Sequence, residues 1–476
     1  MKLTNQYAEL DPQLCQTSQP YMVSEPTLLL WNSDLAEQLH LNQLPKDKRA
    51  DYFSGQITLP GSQPVACAYA GHQFGHFNPQ LGDGRAHLLG EISDGNSVFE
   101  LQLKGSGQTP FSRNGDGLCT LAPALREYLM SEAMFYLGVP TTRCLAVVST
   151  GDDVFREKSL PGAIATRVAT SHVRVGTFEY FAARGQMDVV KKLADFVIAR
   201  HYPNLTNSYN KYFDLLKAII QKQIRLINHW LRVGFIHGVM NTDNTLLSGE
   251  TIDYGPCAML GVYHLATVYS SIDRRGRYAY GQQAAIMQWN MARLAECLIP
   301  LFNGDENQAL QQAEAIIMAI PKQQSADFVT MMNRKLGFLE HVFSQQWIDG
   351  LLQRLQNQQL DYTQTFTALR NDLNDESPNP ELGKQLGDYY QQWRQQVTDS
   401  NFKNVQQTMT QTNPLVIARN HDVENVLSAA IEDHDLQPFK TLLQVLQSPY
   451  EMTQNTTQFQ QPAPDFDAGY RTFCGT

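Results

Sequence analysis

With 476 residues the chain is long enough for two or three structural units and for a substantial core built without disulfide or metal staples. Its 42% hydrophobic and 18% charged residues exclude a disordered chain, and a net charge of -10 speaks against a general nucleic-acid binder, which needs clustered Lys and Arg. The N-terminus lacks a secretory apolar run, no stretch approaches the roughly 18 apolar residues of a membrane helix, and the 7 Cys are scattered and odd in number, so no membrane span and a reducing, cytoplasmic setting are expected.

Residues 1–60 read as a mixed N-terminal segment, with helical spacing from Trp31 to Asn42 behind an Asn32-Ser33-Asp34 cap. From 61 to 185 short apolar runs are cut by Gly. Ser97–Lys104 alternates at period two, as a half-buried strand does, and Asp94-Gly95-Asn96 before it signals a hairpin. A helix is predicted over Ala122–Leu137, stopped by Gly138 and Pro140, with further strands around Cys144–Val148 and Gly162–Val168. Between 186 and 310 helices dominate (Met187–Ala199, Tyr209–Val233), interrupted by a Gly-punctuated stretch at 234–256. From 311 to 476 a Gln-rich helical extension follows, with linkers at Asn374–Pro380 and Gln460–Pro464. No internal repeat is evident.

Several clusters carry chemistry. Gly82-Asp83-Gly84-Arg85 lets backbone N–H groups approach an anion, with Arg adding a charged fork; alone, such a Gly-Asp-Gly is more often just a tight turn. Lys104 ends the alternating strand and Glu127 lies on the next helix, the pairing by which kinase-like folds hold phosphates. Between them Arg113-Asn114-Gly115-Asp116-Gly117 is a second Gly-rich loop within reach of a nucleotide. Arg167 and Arg174 could clamp a polyphosphate tail or form surface ion pairs. His72 and His76, with His87 nearby, are better suited to packing or loop ordering than to zinc.

The strongest pattern is His237–Asn244 followed by Asp253-Tyr254-Gly255. It matches the kinase H-R-D-x-x-x-x-N and D-F-G spacing, except that Val239 stands where the catalytic Asp belongs. An apolar side chain cannot accept a proton, and Asp243 is the nearest replacement. Asn244 and Asp253 offer hard oxygen ligands suited to Mg²⁺.

Together with Tyr69–Gly75, Pro79–Ala86 and Gln102–Gly107, these segments closely resemble the selenoprotein O family, densely from about residue 60 to 260 and more thinly beyond. The resemblance implies an α+β, protein-kinase-like two-lobed fold: a strand-rich N-lobe, a helical C-lobe and a helical C-terminal extension. It implies transfer of AMP from ATP to Ser, Thr or Tyr hydroxyls of proteins, including the protein itself, with Mg²⁺ or Mn²⁺; it also permits UMP from UTP. Gly82, Gly84, Arg85, Lys104, Asp116, Gly117, Arg167, Arg174 and Asp253 are then nucleotide-binding, Glu127 supports Lys104, Asp243 is the base, and Asn244 and Asp253 hold the metal. After Pro256 the chain departs from the family: the usual Cys-Asn-His-Ser segment is missing, Cys257 is the only nearby thiol, and Cys474 stands where some relatives carry selenocysteine. The competing readings are an unconventional kinase or phosphotransferase and an inactive nucleotide-binding pseudokinase scaffold.

Overall fold

The alternation expected over Ser97–Lys104 becomes the central strand of a seven-stranded sheet, covered on both faces. The computed structural model describes residues 2–373 and 378–473; Cys474 and residues 374–377 of the expected linker lie outside them. Three short helices, α1 (Gln6–Leu10), α2 (Ser33–Gln38) and α3 (Arg49–Ser54), flank β1 (Cys15–Thr17) and β2 (Thr27–Trp31). Asn32 caps α2 by accepting from the Leu35 N–H, so the predicted cap is present, but Trp31 ends a strand and the helix is shorter than expected.

β3 (Val65–Cys67), a small hairpin of β4 (Gly71–Gln73) and β5 (His76–Asn78), β6 (Ala86–Ser93), β7 (Val98–Lys104), β8 (Arg143–Phe155) and β9 (Ser159–Ala169) complete the strand-rich half. The large sheet has the order β1-β3-β6-β7-β9-β8-β2, and every neighbouring pair is antiparallel. Asp94 Oδ1 accepts from the N–H groups of Asn96 and Ser97 and forms the predicted β6–β7 turn. Leu101 and Leu103 face a core with Leu145, Ile164 and Val168. The opposite face of β7 carries Glu100, Gln102 and Lys104, and the first two are buried rather than solvated. Arg167 of β9 pairs in register with Gln102, which places it on the same face as Lys104.

That face is covered by α4 (Leu121–Tyr136), which packs on β8 and β9. Helices Asn420–Glu432 and Gln437–Leu446 from the far C-terminus cover the outer side of α4, so the extension braces the strand-rich half as well. The helical half contains α5 (Val175–Ala182), α6 (Met187–His201), α7 (Lys211–Val233), α8 (Gln283–Leu298) and α9 (Glu306–Lys335), with eight further α-helices among the described residues beyond it. α7 stops at Gly234, whose φ of +77° suits glycine. Immediately afterwards Phe235–Ile236 pairs antiparallel with Ala258–Met259, so residues 237–257 project as a loop closed at its base. Near the end of the described chain, Thr472 Oγ1 donates to the Pro256 carbonyl and Tyr470 packs beside Arg126 of α4. The six described cysteines are buried and free. No helix among the described residues is long and apolar enough to cross a membrane.

Candidate active site

Two strands, one helix and the loop bring four charges into contact. Lys104 Nζ lies 2.5 Å from Glu127 Oε2 and 2.8 Å from Asp253 Oδ1. Arg167 reaches Glu127 Oε1 through Nε at 2.7 Å and Asp253 Oδ1 through Nη2 at 2.5 Å, while Nη1 donates to Gln102. Two cations and two carboxylates thus alternate in a closed ring. Burial opposes the charge on Lys104, but Asp253 and Glu127 outweigh it and hold its pKa above the usual value. Burial likewise opposes ionisation of Asp253, but Arg167 and Lys104 hold its carboxyl well below the ordinary range. Neither cation is a solvated surface group: Lys104 and Arg167 side chains are 11% and 3% exposed.

Asp253 has a φ of +62°, which an L-residue other than Asn or Asp rarely adopts. Its neighbours hold it there. Val239 N–H donates to His237 Nδ1, so Nε2 carries the proton it donates to the Ile252 carbonyl at 2.8 Å. Burial lowers the His237 pKa, consistent with this neutral tautomer. The Tyr254 hydroxyl bonds Thr141. The expected His therefore ties the backbone before Asp253 to Val239.

Val239 is buried, and only its backbone is used, the N–H donating to His237 and the carbonyl accepting from Asn244 Nδ2 at 3.1 Å. Asp243 differs. Its Oδ1 is buried without a hydrogen-bond partner, Oδ2 lies 3.5 Å from Gln73 Nε2, and burial pushes the carboxyl up to about 7. The β4–β5 hairpin closes on this group so tightly that a Cβ on Gly71 would lie 2.4 Å from Asp243 Oδ1.

The glycine loops are positioned for close backbone approach. Gly82 has a φ of +69°, and a Cβ there would strike the Phe111 ring at 2.3 Å. Gly84 follows beside the Phe111 carbonyl, and the Arg85 carbonyl accepts from Gly105 N–H. Arg85 lies close enough for its charge to act on Lys104. Gly107 N–H donates to Gly117 O, tying the turn after β7 to the second Gly-rich loop, where a Cβ on Gly117 would lie 2.1 Å from Gly107 O. Asp116 sits at the exposed rim with its carboxylate bound by Arg156, 2.6 Å away, and is not part of the charged ring. Arg174 is buried, stacked 4.2 Å over Tyr69 and 3.3 Å from Asp83 Oδ1. The reading of Arg167 and Arg174 as surface pairs fails because both lie inside the site.

Sequence reasoning missed the residues that hold this arrangement. Asp83 anchors its loop by accepting from Cys67 N–H and Gln102 Nε2 through Oδ2. Glu179 on α5 is 5% exposed; its Oε2 accepts from Thr242 Oγ1 at 2.5 Å and its Oε1 meets His72 Nδ1 at 2.6 Å. Thr242 Oγ1 in turn accepts from His72 N–H at 2.7 Å. Glu179 therefore clamps the residue before Asp243 to the hairpin beside it. The available signal was Gly71-His72-Gln73, which was read only as loop ordering. His87 lies between Ser18 and Ser106 hydroxyls and His76 is exposed, so the three histidines do not converge on a metal.

Among the described residues no group of three or more His, Cys, Asp or Glu is poised to hold a metal ion. The ionised Asp253 within the charged ring and the Asn244 amide, whose Nδ2 is committed to Val239, nevertheless each offer a hard oxygen. Such a set fits Mg²⁺ or Mn²⁺, which take few protein ligands when substrate phosphates supply the rest.

A family model described as protein adenylyltransferase SelO matches residues 1–447. The chain is 47% identical over 485 residues to the protein nucleotidyltransferase YdiU of Teredinibacter turnerae, with all of both chains covered. The protein of that name in Maridesulfovibrio salexigens is 46% identical over 484 residues, covering all of this chain and 98% of the relative. That of Agrobacterium fabrum is 45% identical over 487 residues, with both covered completely. These names describe transferring enzymes, so the inactive pseudokinase scaffold is not supported. By the extent of the match and the identity along whole chains, the protein belongs to the protein adenylyltransferase SelO family, the selenoprotein O family that its motifs resemble.

Proposed function

We propose that this nucleotide-transferring enzyme moves AMP from ATP to Ser, Thr or Tyr hydroxyls of proteins, itself included, and releases pyrophosphate. The observation that carries the reading is the contrast between Val239 and Asp243. The position of a phosphotransfer base is apolar, while the acid six residues after His237 presents a buried, unpartnered oxygen. In this reading the sheet with α4 is the N-lobe and the helices from α5 onward are the C-lobe of a kinase-like fold with a helical extension.

Lys104, held by Glu127, would bind phosphate together with Arg85, Arg167 and Arg174, Asp253 would meet the nucleotide through the metal it holds, and Gly82, Gly84, Asp116 and Gly117 would border it. Asp243 Oδ1 takes the acceptor hydroxyl proton as that oxygen bonds to the α-phosphorus. The bond from the α-phosphorus to the α–β bridging oxygen breaks, and its electrons leave with pyrophosphate. Asn244 and Asp253 would hold a divalent cation, which supplies charge neutralisation at the phosphates when bound. UTP is a second donor compatible with the same phosphate contacts.

The test supplies the protein, Mg²⁺ and acceptor protein with ATP labelled at either the α- or the γ-phosphate, and repeats the transfer with UTP and Mn²⁺. Label on protein from the α position, matched by an AMP mass increment and lost in Asp253→Ala, is the expected result. Label from the γ position alone would refute the proposal and establish the kinase reading.

A further inference from the structure

We propose that a cavity on the far side of α4 from the sheet, between its C-terminal end and helices α7 and α9, is an effector site for a small phosphate-bearing anion. The cavity has a volume of about 590 Å³, within the size range of small-molecule sites. Three arginines line it (Arg225, Arg232 and Arg334) against one carboxylate, Asp327. Arg225 and Arg334 are exposed, and neither makes an ion pair within 4.0 Å among the described residues. Burial raises the Asp327 carboxyl and Arg225 partly offsets this, which places the one acid of the wall within electrostatic reach of Arg225.

The cavity wall also has unmet polar capacity. Asn228 is 7% exposed; its Oδ1 accepts from Gln324 Nε2 at 2.9 Å, which leaves Nδ2 as a buried donor without a partner. His229 Nδ1 is likewise buried and unpartnered, and burial, reinforced by Arg232, pushes the ring down to about 4, so it is neutral at pH 7. Buried polar atoms left unpaired are costly, and these two sit on neighbouring residues of the wall beneath its arginines. An anion with several acceptor oxygens suits the two exposed arginine forks, and phosphate is the chemistry that fits.

The site is joined to the charged ring through α4. Arg232 Nη2 donates to the Leu137 carbonyl at 2.5 Å, and Tyr450 donates to the same oxygen at 2.9 Å. Leu137 caps α4, the helix that carries Glu127 about 15 Å further back along its axis. An anion drawing on Arg232 acts on the end of the helix that positions Lys104.

Footprinting reads the site independently of transfer. The full chain is treated with phenylglyoxal at rising inorganic pyrophosphate or ribose 5-phosphate, with chloride at matched ionic strength as the blank, and Arg225 and Arg334 are quantified by peptide mass spectrometry. The expected result is saturable protection of both arginines with a midpoint of about 1 mM or below, with Arg225 losing its protection in Arg334→Gln. Protection by pyrophosphate alone assigns the site to inorganic anions, and protection by the sugar phosphate assigns it to esters. The protecting anion is expected to change the initial rate of α-labelled transfer by about twofold or more in the wild type beyond its effect on Arg225→Gln/Arg334→Gln, where only product inhibition by pyrophosphate remains, the scale of a weak allosteric coupling. Absence of saturable protection by either probe overturns the site. Protection without any change in transfer overturns its effector role.

Discussion

Replacing Glu179 by Gln keeps the side-chain shape while removing the charge that clamps the loop bearing Asp243. In the wild type one carboxylate oxygen accepts from the Thr242 hydroxyl at 2.5 Å and the other meets His72 Nδ1 at 2.6 Å. A Gln amide can still accept from Thr242 and donate to a neutral His72 Nδ1, but neither contact is then assisted by a carboxylate charge. A hydrogen bond to a charged group contributes about 1.5–3 kcal/mol, which corresponds to a roughly 10- to 150-fold fall in kcat if the loss falls on the transition state. Glu179 has no bond to the residues assigned to nucleotide binding, so KM for ATP should stay within about twofold. Thr242→Val removes the other end of the same bond, and the double variant should be little worse than either single one, because the two act as a unit. Glu179→Asp, with the charge restored on a shorter arm, should recover part of the rate. The assay is the initial rate of α-label incorporation at varied ATP, alongside thermal unfolding to confirm folding. Full kcat in folded Glu179→Gln, or a loss carried entirely by KM, would refute the positioning role.

Asp253→Asn removes a charge that holds Lys104 and Arg167 away from an incoming nucleotide, so in chelator ATP should bind about tenfold tighter or better while transfer is abolished; calorimetry without metal would contradict this by showing weaker binding. Gly71→Ala should lower transfer by about 10²-fold with a small effect on stability elsewhere, since its Cβ would displace the carboxylate 2.4 Å away; an unchanged rate would mean that the hairpin does not set Asp243. His87 is buried and pushed down to about 4 from the unfolded value of 6.5. Its contribution to stability is therefore present above pH 6.5 and lost as pH falls towards 4, where the unfolded ring binds a proton that the folded one does not, amounting to about 3 kcal/mol. His201 and His229 are depressed to about 4 as well, so His87→Gln should remove one of three such contributions to acid sensitivity in denaturant titrations between pH 7 and 4.5; an unaltered pH dependence would refute it.

What could be read from the sequence was local in the chain, and what could not was mostly non-local. The Asn32 cap, the Asp94–Ser97 turn, the stop at Gly234 and the loop that follows it depend on neighbours a few residues apart, and the structure contains them. Lys104 and Glu127 were paired correctly because a strand end and the next helix have few ways to meet. Glu179 gave no such signal, since its partners His72 and Thr242 lie 107 and 63 residues away and nothing in its own helix distinguishes it from a surface acid. Glu100 and Gln102 misled for the opposite reason. Alternation was read as one solvated face, yet His172 and Arg200 bind Glu100, and Asp83 and Arg167 bind Gln102, so the polar face of β7 is a second interior. That interior accounts for the placement of the site. A strand that alternates apolar with charged residues, covered on both sides, forces its charges to find partners without water. The ring of Lys104, Arg167, Glu127 and Asp253 is the neutral solution available to that face before a nucleotide arrives. Its two cations are already desolvated and fixed, so under the proposed function phosphate would bind by an exchange of partners rather than by the ordering of free side chains.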